Sequence, residues 1–482
     1  MYKHTTVKKS LILLVAVLMC LAVLLSACGT KPHKTVTIPD KIDQAEIESN
    51  GGIAVKYGKW IYYVNGYQSS VDSENTYVDT TDAPRVGSVV RIEADQIEEA
   101  VDKSLEEGKT TSVKAKDVAE LVRQKAQIVI PRIYYTGNNT TPELNGIWIF
   151  DNRIYILTPN DQLTPGGNKQ TNEAVLMSYD LGGGSEKRHY TFDSNGAQVW
   201  LYLNGTEVMA TYVMNSELHV LTVASGKDEL IADKDAENKK VSSVNFDVYG
   251  GYVYYLDANG SICKLAKGST EPTVLVKNDS YNGEENTVTY TIKSVCDGYV
   301  YYTKADKDNS SIDNVVLYYT KDPVTEDTQS IALASSDLSN MKAYSGGKLV
   351  VVRSIDGFSG LYLIDKDTVN SPKCLLKPGY NQQSIRIDKI EGDVLFYTVN
   401  NVTYKKSLVG DVDDTKYGEL YACGWDTAVS VGWAARDIVK IGDVTYLFTL
   451  GSNSVSVVRL DTVKKSNSSP ATVITLTVAD EK

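Results

Sequence analysis

The sequence predicts an all-β chain. Its architecture is a β-propeller of four-stranded blades, eight in number with seven as the alternative, and a short helical insertion after the first blade. Three observations predict it. A hairpin pattern of apolar strand, small turn and aromatic strand recurs along most of the chain, and its copies follow at a nearly constant step. The 482 residues also include 32 tyrosines against six phenylalanines, with frequent Val, Ile and Thr. That composition suits pleated strands, and tyrosine suits half-exposed sites with its ring packed and its hydroxyl in water.

Ahead of the repeats, residues 1–27 have the build of a secretory signal peptide. Lys3, Lys8 and Lys9 precede an uncharged apolar run from Leu11 to Leu25, and the small residues Ser26 and Ala27 follow. The run of 15 residues makes a helix of about 22 Å, short of the ~30 Å hydrocarbon core, so it is a poor permanent span. Leu25-Ser26-Ala27-Cys28 resembles the lipobox of bacterial lipoproteins at every position. That resemblance implies cleavage before Cys28 and acylation of its sulfur, often with an N-acyl chain as well. Two or three chains at about 0.8 kcal/mol per buried CH2 hold a protein stably, where one is marginal. The implied partner is a membrane, and the place is the outer face of a bacterial cell membrane. The alternative is an uncleaved N-terminal helix with an incidental cysteine. Residues 28–50 are polar, with two prolines and no apolar periodicity, and read as a flexible tether.

Residues 51–482 form the repeated region. The clearest hairpins are Tyr249-Gly250-Gly251-Tyr252-Val253-Tyr254-Tyr255 and Cys296-Asp297-Gly298-Tyr299-Val300-Tyr301-Tyr302. Trp60-Ile61-Tyr62-Tyr63, after Tyr57-Gly58-Lys59, and Arg153-Ile154-Tyr155-Ile156, after Phe150-Asp151-Asn152, are close relatives. Looser copies centre on Leu349, Val394 and Val444, and the faintest on Leu218. Gly-Gly, Asp-Gly and Asp-Asn supply the positive φ of a two-residue hairpin turn. Outgoing strands such as Ile262-Cys263-Lys264-Leu265 and Leu361-Tyr362-Leu363-Ile364 add a third strand. Stretches such as Thr273-Val274-Leu275-Val276 supply a fourth, which is the content of a propeller blade. The last four steps of the repeat are 47, 49, 45 and 50 residues, within the ~40–50 usual for blades. The step of 35 before Val253 is short, and the first step of 93 holds an insertion.

These units resemble the Tyr-rich β-propeller repeats of surface proteins in Gram-positive bacteria, grouped with the lipoprotein-receptor-like propellers. The resemblance covers about Gly51 to the C-terminus and speaks to fold rather than function. Two stacked β-sandwiches or a β-solenoid are the alternatives, and the near-constant period argues for the propeller. Residues from about 95 to 127 depart from the strand pattern. Ile97, Ala100 and Val101, then Val118, Leu121 and Val122, have helical spacing and predict two short helices. At the other end, Ala471-Thr472-Val473-Ile474-Thr475-Leu476-Thr477 reads as a closing strand that completes a blade begun at the N-terminus.

Loss of the signal's three lysines takes the formal net charge from −12 to −15. An acidic chain without a basic run is a poor partner for nucleic acid. Cys263, Cys296, Cys374 and Cys423 are widely spaced with no C-x-x-C pair, which suggests neither a zinc site nor a redox motif. Buried thiols are expected, with one disulfide as the alternative.

No residue set amounts to a catalytic, metal or cofactor site. His4 leaves with the signal, His33 lies in the tether, and His189 and His219 belong to the domain. His219 alternates within an apolar strand and reads as a partly buried side chain; His189 follows Lys187 and Arg188 and reads as solvated. A Ser-His-Asp triad needs one of these two, and no G-x-S-x-G elbow is present. Asp306-Lys307-Asp308-Asn309-Ser310 and Asp411-Val412-Asp413-Asp414 are oxygen-rich but lack the glycine and terminal Glu of an EF-hand loop, so they read as solvated turns. In the pairs Tyr62-Tyr63, Tyr254-Tyr255 and Tyr301-Tyr302, adjacent residues of a strand face opposite ways. One ring of each pair is expected between blades. Trp200, Trp425 and Trp433 add nothing more specific.

The expected function is that of a monomeric, lipid-anchored binding or scaffold module for an envelope or extracellular protein or glycan. The inserted helices are the first expected point of contact, because they break the repeat. The alternative is an extracellular polysaccharide hydrolase or lyase using carboxylates at the ring's centre.

Overall fold

The computed structural model describes residues 35–66, 87–131, 144–160, 172–232, 238–278, 287–306, 315–321, 329–333, 337, 340–355, 358–376, 384–399, 402–409, 419–422, 435–451, 454–459 and 474–478. The signal, Cys28, His33, Cys423, Trp425, Trp433 and the acidic loop at 411–414 lie outside them, as does all of the 306–310 loop but Asp306.

Among the described residues the strands form eight antiparallel sheets of four, each a meander of consecutive strands. They span residues 54–130, 148–192, 198–231, 242–276, 288–333, 341–376, 385–422 and 435–475. Several neighbouring sheets meet through their first strands. Ser242–Asp247 contacts Val288–Cys296, that strand contacts Met341–Tyr344, and Met341–Tyr344 contacts Ile385–Glu391. Ala54–Tyr57 of the first sheet contacts Ala435–Ile441 of the last, so the series closes on itself. The fold is a β-propeller, with first strands inside and fourth strands outside, and its sheets are compatible with eight blades.

The hairpin turns follow from their residues. Asp297 and Gly298 take φ of 50° and 78°, and Asp151 and Asn152 take 44° and 58°. These are the positive values that let a two-residue turn match the twist of its strands. The copy placed on Leu218 is one strand late. Leu218 lies in Glu217–Thr222, the third strand of its sheet, and the second strand is Glu207–Met214. The equivalent position is Val208, 54 residues after Ile154 and 45 before Val253. The short step disappears once the strands are counted this way.

Both rings of each tyrosine pair are buried, not one. Tyr254 packs with Tyr302, Leu256 and Val300 between the fourth and fifth sheets, while Tyr255 packs with Trp200, Tyr202 and Val220 between the third and fourth. A blade has a neighbour on each face, so side chains on both faces enter a core. Several tyrosine hydroxyls find partners in the next sheet rather than in water. Tyr62 donates to Leu181 O at 2.9 Å, Tyr190 to Asp228 Oδ2 at 3.0 Å and Tyr301 to Lys348 O at 3.4 Å. Tyr57 donates to Asn152 and Tyr344 to Asp393, and Tyr202 accepts from Gly268 N at 3.1 Å. Phenylalanine would fill the same gaps without these ties, which explains the composition.

The closure differs from the expected strand exchange. Ile474–Thr475 pairs with Ser454–Arg459 of its own sheet, and the first sheet consists of residues 54–130 alone. The helical insertion also falls inside the first sheet rather than after it. Helices α1 (Ala94–Leu105) and α2 (Thr111–Lys125) connect its third strand, Val89–Glu93, to its fourth, Gln127–Ile130. Their apolar stripes, Ile97, Ala100 and Val101 with Val118, Leu121 and Val122, join Ile474, Leu476 and Val478 in one core. The seam between first and last sheets is therefore sealed by helices. Their outer faces carry ion pairs such as Glu99–Lys103 at 3.4 Å and Glu120–Arg123 at 2.8 Å.

The stretch expected as a tether is docked from Thr35 onward. Val36 N donates to Gly182 O at 3.0 Å and Arg91 Nη2 to Thr37 O at 2.7 Å. Arg91 itself is buried under Trp60, 4.1 Å from its ring centroid. A 3-10 turn at Gln44–Glu46 follows, with Asp43 and Glu46 forming a capping box.

Candidate functional site

The centre of the ring is bounded by the first strands, and the docked N-terminal segment enters it. Glu48 and Lys56 exchange backbone hydrogen bonds of 3.1 and 3.0 Å. Gly51 N donates to Ile147 O at 2.8 Å, and Asn50 both donates to Ile149 O and accepts from Ile149 N. Ser49 Oγ donates to Lys440 O at 3.2 Å, and the Glu48 carboxylate accepts from Gly442 N and Lys56 Nζ. Residues 48–52 thus lie along the inner edges of the eighth, first and second sheets and pair strand edges that would otherwise stand open.

The mouth carries carboxylates on the first-to-second-strand turns: Asp151, Asp247, Asp297, Asp393 and Asp443. Asp393 accepts from Tyr344, and Asp297 accepts from Ser345 Oγ at 3.2 Å, each bond crossing to a neighbouring sheet. On the inner strand of the seventh sheet Asp388 accepts from Arg386 Nε and Thr398 Oγ1, both at 2.6 Å. A bulge in the fifth sheet's inner strand sits beside Ser294, whose Oγ accepts from Ala343 N of the sixth at 2.9 Å.

Asp247 is the exception. Its Oδ1 accepts from Gly250 N at 2.9 Å, while its Oδ2 is buried without a hydrogen bond. Burial pushes this carboxyl above the usual range, against the pull of the Gly250 and Asp297 amides and with the help of the Asp297 charge. The Tyr254 hydroxyl, also buried without a partner, is pushed up by burial and by Asp247. Burial, then Asp247 and Asp297, raise the Cys296 thiol to about 11. Among the described residues this corner between the fourth and fifth sheets is the one place at the mouth where a raised carboxyl faces a second carboxylate. Sequence reasoning missed it because the repeat presents such aspartates at most turns.

The histidines sit elsewhere. His189, expected in solvent, is half-buried on the fourth strand of the second sheet. Its Nε2 lies 2.7 Å from Ser178 Oγ, and its ring centroid is 5.5 Å from that of Tyr155. Burial, Arg153 and Lys187 lower its pKa. Arg153 Nε donates to the same Ser178 oxygen at 3.0 Å. This is a serine–histidine pair, but Ser178 is wholly buried and its oxygen already bonds a guanidinium. A substrate carbonyl has no approach to it. His219 is buried as expected. It stacks on Tyr212 at 4.8 Å and 10°, and its Nδ1 lies 3.2 Å from Asp228 Oδ2. The same oxygen accepts from Tyr190 and Tyr212, which makes Asp228 a junction of the second and third sheets.

Cys263 is fully buried, and Cys296 and Cys374 are half-buried. Among the described residues no group of three His, Cys, Asp or Glu side chains is arranged to hold a metal ion. The inserted helices, expected to meet a partner, turn their apolar stripes into the seam, and Val113 is their one strongly exposed large apolar side chain among the described residues.

No family model and no curated protein sequence matches the chain. Similar solved structures include YCF48 bound to D1 peptide, at 12% identity over 68% of this chain and 94% of that one, with a TM-score of 0.35. Hsv2p of Kluyveromyces lactis covers 69% of this chain and 96% of its own at 10% identity and a TM-score of 0.34. Porphyromonas gingivalis dipeptidyl peptidase 4 covers 90% and 63% at 11% identity and a TM-score of 0.40. At these scores the fold assignment rests on the eight sheets and their closure.

Proposed function

We propose that this protein is a bacterial surface lipoprotein, held on the outer face of the cell membrane through acyl chains on Cys28. Its propeller, of the Tyr-rich lipoprotein-receptor-like type, works as a monomeric, non-catalytic module that binds an envelope or extracellular protein or glycan. The observation that carries the binding reading is the use of the polar groups at the ring's centre and mouth. Glu48, Asp297, Asp388 and Asp393 each bond within the fold, and Ser178 is sealed under Arg153. The Gram-positive setting and the anchor come from the sequence. Two experiments test the reading. Metabolic labelling with a clickable fatty acid should mark the wild type and not Cys28→Ala. An unbiased pull-down on envelope proteins and polysaccharides should retain a partner, and retention of none counts against a binding role.

A second reading, a polysaccharide hydrolase or lyase, is favoured by one observation: the raised carboxyl of Asp247 beside Asp297. A carboxyl held protonated by burial can serve as the general acid on a glycosidic bond when a second carboxylate stands nearby. If envelope glycan is cleaved, Asp247→Asn and Asp297→Asn should each abolish turnover. Turnover unchanged in both variants disposes of this site.

A further inference from the structure

Two observations fix which end of the propeller can face a membrane. Chain direction puts the first-to-second and third-to-fourth strand turns of every sheet at one end and the remaining connections at the other. The docked N-terminal segment crosses the first of these ends. It is seated on Gly182-Gly183-Gly184, the third-to-fourth turn of the second sheet. A Cβ on Gly182 would lie 2.3 Å from Val36 O, and one on Gly184 would lie 3.2 Å from Thr35 Cγ2. The seat admits no side chain, so the position of Thr35 is fixed by the backbone. From Cys28 to Thr35 there are seven residues, a reach of about 24 Å at full extension.

Strands such as Lys348–Ile355, at eight residues, make a blade about 27 Å tall. A leash of that reach would be consumed in running down the side of one blade, with nothing left to bring the far end to the bilayer. The near end also carries Ile38, Tyr249 and Val409, which are 56%, 75% and 52% exposed. Tyr249 and Val409 stand on strand connections and Ile38 on the docked segment, with Lys389 Nζ 5.8 Å from the Tyr249 ring centroid; an aromatic and two aliphatic side chains so placed suit the interfacial layer of a membrane. Its turn carboxylates, such as Asp443, favour shallow contact over deep insertion.

We infer that the propeller lies with this turn end against the lipid surface and displays the opposite end, with the second-to-third strand connections, to its surroundings. The inference rests on acylation of Cys28, and it places the partner-binding surface on the outward end.

The test uses full-length lipidated protein on phosphatidylcholine vesicles that carry a nitroxide on the headgroup. A fluorophore is clicked to a non-natural residue at position 366 or 354. Both lie in the sixth sheet, away from the anchor, the first at the turn end and the second at the other. Strong quenching at 366 with background quenching at 354 is the expected result. Equal quenching, or the reverse, overturns the orientation. A flexible spacer of about 20 residues between positions 34 and 35, with a typical end-to-end distance of roughly 25 Å, should weaken quenching at 366; no change overturns the leash argument. Flotation is read separately: wild type that fails to float with the vesicles refutes the anchor, and the orientation with it.

Discussion

Tyr63 on the second strand of the first sheet donates its hydroxyl to the carbonyl of Leu476, 413 residues later, at 3.0 Å. Two residues on, Asn65 exchanges a pair of bonds with Val478, of 2.9 and 3.0 Å. These three bonds cross the seam where no strand is shared. Tyr63→Phe leaves a buried carbonyl without a donor, which costs about 1–3 kcal/mol. Asn65→Ala removes two bonds and should cost more. Denaturant midpoints measure both, and a change within error in either variant would show that the helices alone hold the seam.

The same tyrosines make the fold sensitive to alkali. Burial raises Tyr62, Tyr319 and Tyr344 to about 12, and Cys296 to about 11. Each is raised above its unfolded value, so the stability it contributes is complete below that value, near 9 for the thiol and 10 for the phenols. It is lost as pH climbs through the folded values of 11 to 12. Thermal midpoints should hold up to about pH 9 and then fall steeply. A midpoint that stays level from about pH 9 to 12 would contradict this.

The fold was legible because its signal is local and repeated. Gly251, Gly298 and Asp151 announce their turns through φ, and Val253, Val300 and Leu349 mark a period. The unit at Leu218 misled because Asn215 and Ser216 also take positive φ, at 53° and 62°, so a second-to-third turn imitates a first-to-second one. The docking of residues 35–50 was hidden for a different reason. A polar segment with a proline and no apolar periodicity has the composition of a tether whether its backbone is solvated or bonded, and the acceptors it meets at Ile149 and Lys440 are backbone atoms. The Asp247 corner was invisible because its character comes from burial between two sheets and not from its neighbours in sequence.

Gly183 offers a test of how tightly the first two sheets are joined. Its φ is +85°, and a Cβ there would lie 1.8 Å from Val129 O of the first sheet. Gly205 has φ +63° with nothing within 4 Å of its Cβ. Gly205→Ala carries only the left-handed penalty, about 1–2 kcal/mol. Gly183→Ala adds a backbone clash worth about 1–3 kcal/mol more. Equal losses in the two variants would mean that the second sheet's turn can lift away from the first without resistance.

Acid acts through His189. Its pKa is lowered by burial first and by Arg153 and Lys187 next. A depressed group contributes stability that is complete above its unfolded value, near 6.5, and is lost as pH falls through the folded value. Protonation also sets an imidazolium beside the Arg153 guanidinium, both against the Ser178 oxygen. The wild type should therefore lose thermal stability between pH 7.5 and 5, and His189→Phe should lose less over that interval even if it starts lower. His219 is present in both proteins, so the difference between the two slopes reports His189 alone. Parallel slopes would show that His189 does not carry the acid response.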